Sequence, residues 1–238
     1  MIPILCYHKV GPEKDEGRFL NVAPETFLSH VRFFARRGWK GIRAKDLPEQ
    51  LRKPKEKVVC FSFDDSYLSA VENAAPILKE AGFAATFYAV PDLVGEKSSW
   101  DGAKARPLAS WDQLLTLQDQ GFEIGNHTAS HPSLIQLASQ EQEEEILRGQ
   151  SKLAEKGFRA TTFCMPYGHY NGATLQALHQ AGIEVGLTLR KGIATSRDPL
   201  LQLPRVVIAF SDKVPMVIYK LFVKPKLKRP TQPVPLTP

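Results

Sequence analysis

The sequence predicts an α/β protein built as a barrel of parallel strands, on two observations. Short runs rich in Val, Ile, Phe and Ala recur along the chain, and stretches of helical length and amphipathic pattern separate them. Eight runs read as strands, at 2–7, 39–42, 58–63, 84–90, 122–125, 161–165, 185–189 and 206–209, a number that suits a barrel. The helices between them carry their own boundary signals. One at 24–37 starts on Pro24, one at 67–81 stops before Gly82, one is capped by Ser110 and stops before Gly121, and one at 139–156 ends at Gly157. The acidic run 141–145 falls in the early turns of this last helix, where negative charge suits the helix dipole, and reads as a solvated face. Residues 91–107 have no periodicity and read as a surface loop bordering a substrate groove.

At 238 residues, with 43% apolar and 24% charged side chains, the chain can bury one core of its own. Cys6, Cys60 and Cys164 are odd in number and each lies in a strand run, which favours buried reduced thiols and a reducing compartment. No run is long and apolar enough to span a bilayer, and the first residues lack the pattern of a secretory leader. The expected location is therefore the cytoplasmic side, at the inner membrane surface, or outside the cytoplasm if a leader has been removed. The net charge of +6 resides in the tail: Lys213, Lys220, Lys224, Lys226, Lys228 and Arg229 follow Asp212 with no acid among them. A basic terminus on a neutral body points to a local electrostatic contact and not to nucleic acid.

Two strand ends carry chemistry. The run 58–63 ends in Asp64 and Asp65, and ligand-binding groups of parallel α/β folds collect beyond the carboxyl ends of strands. An Asp-Asp pair is also an ordinary turn, in which Asp65 or Ser66 caps the next helix. The run 122–125 is followed by His127 and His131, four residues apart, which one helical turn would aim the same way. Two imidazoles and one carboxylate, with a position left open, are the donor set of a catalytic divalent metal such as zinc.

FSFDDSY (61–67), GNHTASH (125–131) and MPYG (165–168) resemble, in order and spacing, the first three motifs of the polysaccharide deacetylase family, the NodB-homology domain of carbohydrate esterase family 4. Weaker similarity runs from CYHKV near the start to LPRVVI near residue 208. The resemblance implies a distorted (β/α) barrel of seven to eight strands over residues 1–212; residues 213–238, outside it, read from their own composition as a basic, apolar C-terminal segment and a proline-rich tail. It implies one divalent metal, zinc being expected, and removal of N-acetyl groups from an N-acetylglucosamine-containing glycan or glycan precursor. Asp65, His127 and His131 then become metal ligands, Asp64 the general base, and the backbone N–H near Tyr167 an oxyanion donor.

Two positions depart from the family pattern. An arginine that commonly braces the catalytic aspartate is replaced by Cys164, and Arg205, placed just before a strand, is the expected substitute. The late histidine that protonates the leaving amine is missing, and His8, beyond the first strand, takes its place as in the branch containing poly-N-acetylglucosamine deacetylases. His169 is the second choice, while His30 and His179 read as ordinary helical residues. Alternative functions are a deacylase or deformylase of a small or lipid-linked acylamino sugar, and a non-catalytic glycan-binding protein. A groove lined by Trp100 or Trp111 would favour a polymer. The segment 214–223 reads first as a helix packed on the barrel. The other reading puts Met216, Ile218, Leu221 and Phe222 in a membrane interface, with the lysines on anionic lipid.

Overall fold

The computed structural model describes residues 1–53 and 56–227. Ten strands form: β1 (Ile4–Tyr7), β2 (Lys9–Val10), β3 (Asn21–Val22), β4 (Lys40–Ile42), β5 (Val58–Phe63), β6 (Thr86–Ala89), β7 (Glu123–Asn126), β8 (Thr162–Cys164), β9 (Val185–Lys191) and β10 (Leu203–Val207). All eight expected strands are present, and β2 and β3, a two-residue pair beside the mouth, are additional. Seven strands close a parallel ring in the order β1-β10-β9-β8-β7-β6-β5, sealed by β5 pairing with β1. Cys60 pairs with Ile4 on one edge of β5 and with Ile42 on the other, and Ser62 likewise faces both Cys6 and Thr86. Thus β4 and β6 share one edge of β5, which leaves β4 outside the ring as a wedge at its amino end.

Period-two alternation sorts the side chains. Ile4, Cys60, Tyr88, Cys164, Val185, Leu187 and Leu203 pack together inside the barrel. Leu5, Tyr7, Val59, Phe61, Phe63, Phe87, Ile124 and Val206 face outward under the helices, as do Phe163 and Met165 in a smaller cluster. Burial on both faces explains why these strands read as unbroken apolar runs. All three cysteines are buried free thiols. Within the barrel, Gly125 makes room for the Tyr88 ring, since a β-carbon there would lie 2.4 Å from Tyr88 Cε1. The amino end is plugged by the Glu123 carboxylate, which accepts from Thr86 Oγ1 (2.8 Å), Thr162 Oγ1 (3.0 Å) and the Lys45 N–H (3.1 Å).

The covering helices include Pro24–Ala35, Leu68–Glu80, Trp111–Asp119, Ser139–Glu155 and Gly172–Gln180. Ser110 caps Trp111–Asp119 as expected, its hydroxyl accepting from the Gln113 N–H. The reading of 141–145 as a solvated face needs correction at two members, Gln142 and Glu145. Glu145 is buried, and its carboxylate accepts from the N–H and hydroxyl of Ser130 (2.9 and 3.0 Å), tying this helix to the loop after β7. The expected terminal helix packs on the barrel through Val217 and Leu221, which corrects the placement of Leu221 in a membrane interface. Lys228 and Arg229 lie outside the described residues.

The loop after β7 leaves no room at Gly149, where a β-carbon would lie 2.6 Å from Asn126 Oδ1 and 3.1 Å from the Ala129 nitrogen. Gly→Ala at an exposed helical position stabilises by about 1 kcal/mol. Gly149→Ala is expected to act in the opposite direction, costing about 1–3 kcal/mol through overpacking. Differential scanning calorimetry checks the sign, at about 2–4 °C of Tm per kcal/mol for a chain of this size.

Candidate active site

The site lies at the carboxyl ends of β1, β5, β7, β8 and β10. Among the described residues, six that are not glycine have a left-handed φ, and five of them border it: Asp65 (69°), Ser66 (51°), Thr128 (64°), His131 (67°) and Tyr167 (57°). Such backbone costs about 1–3 kcal/mol per residue and persists only where its surroundings impose it. After β5, Asp65 and Ser66 make a tight turn, and Tyr67 rather than either of them opens the next helix, with no side-chain cap. After β7, the left-handed Thr128 and His131 bring the two imidazoles together; the helical turn expected for the HxxxH spacing does not form. The Thr128 hydroxyl accepts from the His131 N–H (3.0 Å), and the Ala129 N–H donates to the Glu145 carbonyl (3.0 Å).

Asp65, His127 and His131 converge. Asp65 Oδ1 lies 3.3 Å from His127 Nε2 and 3.1 Å from His131 Nε2, and all three residues are buried. Because His127 Nδ1 lies 2.7 Å from the Cys164 carbonyl, which can only accept, the imidazole proton sits on Nδ1. In the neutral ring Nε2 therefore turns a lone pair toward a carboxylate oxygen that has no hydrogen-bond donor of its own. Two facing lone pairs repel unless a positive charge lies between them. Burial opposes a charged His127, yet the Asp65 carboxylate outweighs it and raises the histidine's pKa. Burial likewise pushes Asp65 up, while the two imidazoles hold it well below the usual carboxylate range. The three residues together form a donor set that fits a divalent metal.

Asp64 faces a second partner. The Arg205 guanidinium clamps its carboxylate with Nη1 to Oδ1 at 2.6 Å and Nη2 to Oδ2 at 2.8 Å. Nη1 also donates to Ser62 Oγ (3.1 Å), Nη2 to Cys164 Sγ (3.0 Å) and Nε to the Thr188 carbonyl (2.9 Å). The five N–H groups of the guanidinium thus have five acceptors. Arg205 is the expected brace, but it lies within β10 and points inward, not just ahead of a strand. Cys164 leaves space for the guanidinium and accepts from it. Burial would raise the Asp64 pKa, and Arg205 more than reverses this, holding the carboxyl well below its usual range. Pairing therefore stabilises the fold in full above about pH 4 and is lost only as pH falls through the depressed value.

His8 stands at the end of β1 with Nε2 3.8 Å from Asp64 Oδ2, and the Cys6 thiol donates to the same oxygen (3.4 Å). Burial, partly offset by Asp64, lowers the His8 pKa from 6.5, which keeps the ring neutral at pH 7. His169 is exposed, bonded to Ser133 Oγ (2.9 Å), and makes no contact with the aspartates. His30 is structural, joining the Tyr7 hydroxyl to the Asp212 carbonyl, and His179 is exposed. Tyr167 lies on a one-turn segment in which the Gly168 N–H returns to the Met165 carbonyl. Its exposed ring meets His131 edge-on at 4.8 Å. Trp100 stacks on His131 with ring centroids 4.0 Å apart, and its loop is fixed by the Tyr67 and Ser98 hydroxyls, both donating to Asp101 Oδ2. Trp111 instead packs against Phe158 on the outer face and takes no part. Glu145 and the Ser62, Thr188 and Cys6 contacts were not legible in the sequence, where each reads as an ordinary strand or helix position.

The polysaccharide deacetylase family model matches residues 51–186. The Bacillus subtilis protein YxkH, which carries the polysaccharide deacetylase name, is 29% identical over 213 residues, spanning 87% of this chain and 71% of its own. The poly-beta-1,6-N-acetyl-D-glucosamine N-deacetylase of Staphylococcus aureus is 24% identical over 197 residues, 79% of this chain and 68% of its own. Among solved structures, the Streptococcus pyogenes deacetylase PplD in complex with acetate is similar at a TM-score of 0.81 and 26% identity, covering 92% of this chain and 97% of its own. IcaB from Ammonifex degensii reaches a TM-score of 0.77 at 25% identity, covering 91% and 94%. The match to the family model spans more than half of the chain and contains Asp64, Asp65, His127, His131 and the PYG turn, and the chain belongs to the polysaccharide deacetylase family.

Proposed function

We propose that this chain is a metal-dependent hydrolase that removes N-acetyl groups from an N-acetylglucosamine-containing glycan, with zinc as the ion. The observation that carries the reading is the convergence of Asp65, His127 and His131 lone pairs beside a carboxylate clamped by Arg205. The activity named for the Staphylococcus aureus relatives supports the substrate class. Trp100 and the exposed Tyr167 at the rim support a polymer over a small enclosed sugar. The same Arg205 clamp takes the place of the brace absent at Cys164, which supports a catalytic reading over a non-catalytic glycan binder.

When bound by Asp65, His127 and His131, the ion would polarise the acyl oxygen and acidify the attacking water. Asp64 takes the proton from that water as its oxygen attacks the amide carbon. Arg205 holds Asp64 as the carboxylate that accepts this proton. His8, neutral beforehand and 3.8 Å from Asp64 Oδ2, carries it to the amine nitrogen as the C–N bond breaks. The Tyr167 N–H donates to the oxyanion. Acetate and the free amine are the products.

Four outcomes test the scheme. Asp64→Asn is expected to lower acetate release from N-acetylglucosamine oligomers about 10²–10⁴-fold with metal content unchanged. Absence of stoichiometric metal from the active protein, by elemental analysis, would remove the hydrolytic reading. Arg205→Met strands a buried carboxylate and is expected to cost about 3–5 kcal/mol in denaturant unfolding. Arg205→Met with Asp64→Leu should recover most of that stability and none of the activity. Since His8 must start neutral and burial lowers its pKa, kcat/KM is expected to fall on the acid side of the ordinary imidazole range. His8→Gln should remove that limb; a profile that instead falls as pH rises through this region would make His8 a pre-protonated acid and refute the relay.

A further inference from the structure

Among the described residues ten large apolar side chains are exposed, and four of them, Met216, Tyr219, Phe222 and Val223, fall within eight consecutive residues. These belong to a continuous helical segment whose middle, Tyr219–Val223, is a π-helical turn between the α-helical Val214–Ile218 and Lys224–Leu227. Its inner side is fixed. Val217 and Leu221 enter the main core, and Lys220 pairs with Asp212 while donating to the Val207 carbonyl (3.0 Å). The Asp212 carbonyl is in turn held by His30 at 2.6 Å. The apolar outer side is therefore presented by a docked element, not by a fraying end.

The segment's own free charges are of one sign, with Glu25 of the helix Pro24–Ala35 lining the same cleft as Lys213. Lys213 is exposed and Lys224 half-exposed, and the sequence continues through Lys226, Lys228 and Arg229 with no acid after Asp212. Lys220 is committed to Asp212 and does not contribute. A nucleic acid would satisfy the lysines and leave four apolar side chains in water. A second copy of the same segment would bury the apolar side against like charge. A membrane surface rich in anionic lipid matches both features, with apolar side chains at the headgroup boundary and lysines at the phosphates. No helix among the described residues is long and apolar enough to cross a membrane, so the segment would lie on the surface.

We propose that residues 213–225 dock this protein onto an anionic membrane leaflet. The inference is independent of the reaction, because none of the described side chains of this segment reaches the aspartates or histidines of the site. The test is flotation of the full chain with phosphatidylcholine vesicles, with and without phosphatidylglycerol. Flotation is expected only with phosphatidylglycerol and to weaken with added salt. Neutralising Lys213 and Lys224 to Gln should lower partitioning about fivefold each, and Met216→Ser with Val223→Ser should abolish flotation. All four substitutions are at the surface and should leave Tm and acetate release from soluble oligomers unchanged. Equal flotation of the variants and the parent would overturn the proposal, as would equal binding to phosphatidylcholine alone. So would light scattering that shows a dimer broken by Met216→Ser with no effect of vesicles.

Discussion

The ion pair between Arg205 and Asp64 sits inside a closed barrel, and most of what surrounds it follows from that position. Moving two ions into such an interior costs several kcal/mol each, recovered only if every donor and lone pair finds a partner. The molecule meets this condition with strands spread around the ring: Ser62 on β5, Cys164 on β8, Thr188 on β9 and Arg205 on β10. The pair therefore ties the ring together at the level just below the mouth, while Glu123 and its threonines do so at the amino end. Apolar side chains fill the space between. The barrel is a packed stack of layers, and its uppermost layer is chemical.

Above that layer the backbone is strained where Asp65, His127 and His131 converge. Left-handed Thr128 and His131 are held from outside by the helix Ser139–Glu155, through Glu145, Asn126 and the close approach at Gly149. A helix on the outer face thus determines the separation of two imidazoles on the inner one. The indole of Trp100 covers one face of His131, which limits its freedom to turn away from Asp65.

The sequence revealed the eight ring and wedge strands because parallel strands buried on both faces are written as continuous apolar runs. It did not reveal β2 and β3, which are two residues each and have no periodicity to detect. Nor could it show that β4 is left out of the ring, since that depends on which edge of β5 two strands share. Arg205 was legible only as a lone base in LPRVVI; its partners lie more than a hundred residues away in sequence, apart from Thr188 and Cys164. Glu145 was hidden by its neighbours, because a buried acid inside an acidic run has the same letters as a solvated one. The left-handed residues were invisible for a related reason: Asp, Ser, Thr, His and Tyr announce no such conformation, whereas glycine would have.

The adjacent carboxylates show how strain and strand parity combine. Along β5, Val58, Cys60 and Ser62 face inward, and Asp64 continues the same parity into the clamp of Arg205. Its neighbour would face the opposite way in an extended strand, out beneath the helices with Phe61 and Phe63. The φ of 69° at Asp65 reverses that direction and brings its carboxylate to His127 and His131. Two consecutive acids thus reach one cavity with different partners, one a guanidinium and one a pair of imidazoles. Glycine at position 65 would relax the turn but supply no ligand, so the strain is the condition for placing both carboxylates within a single step of the chain.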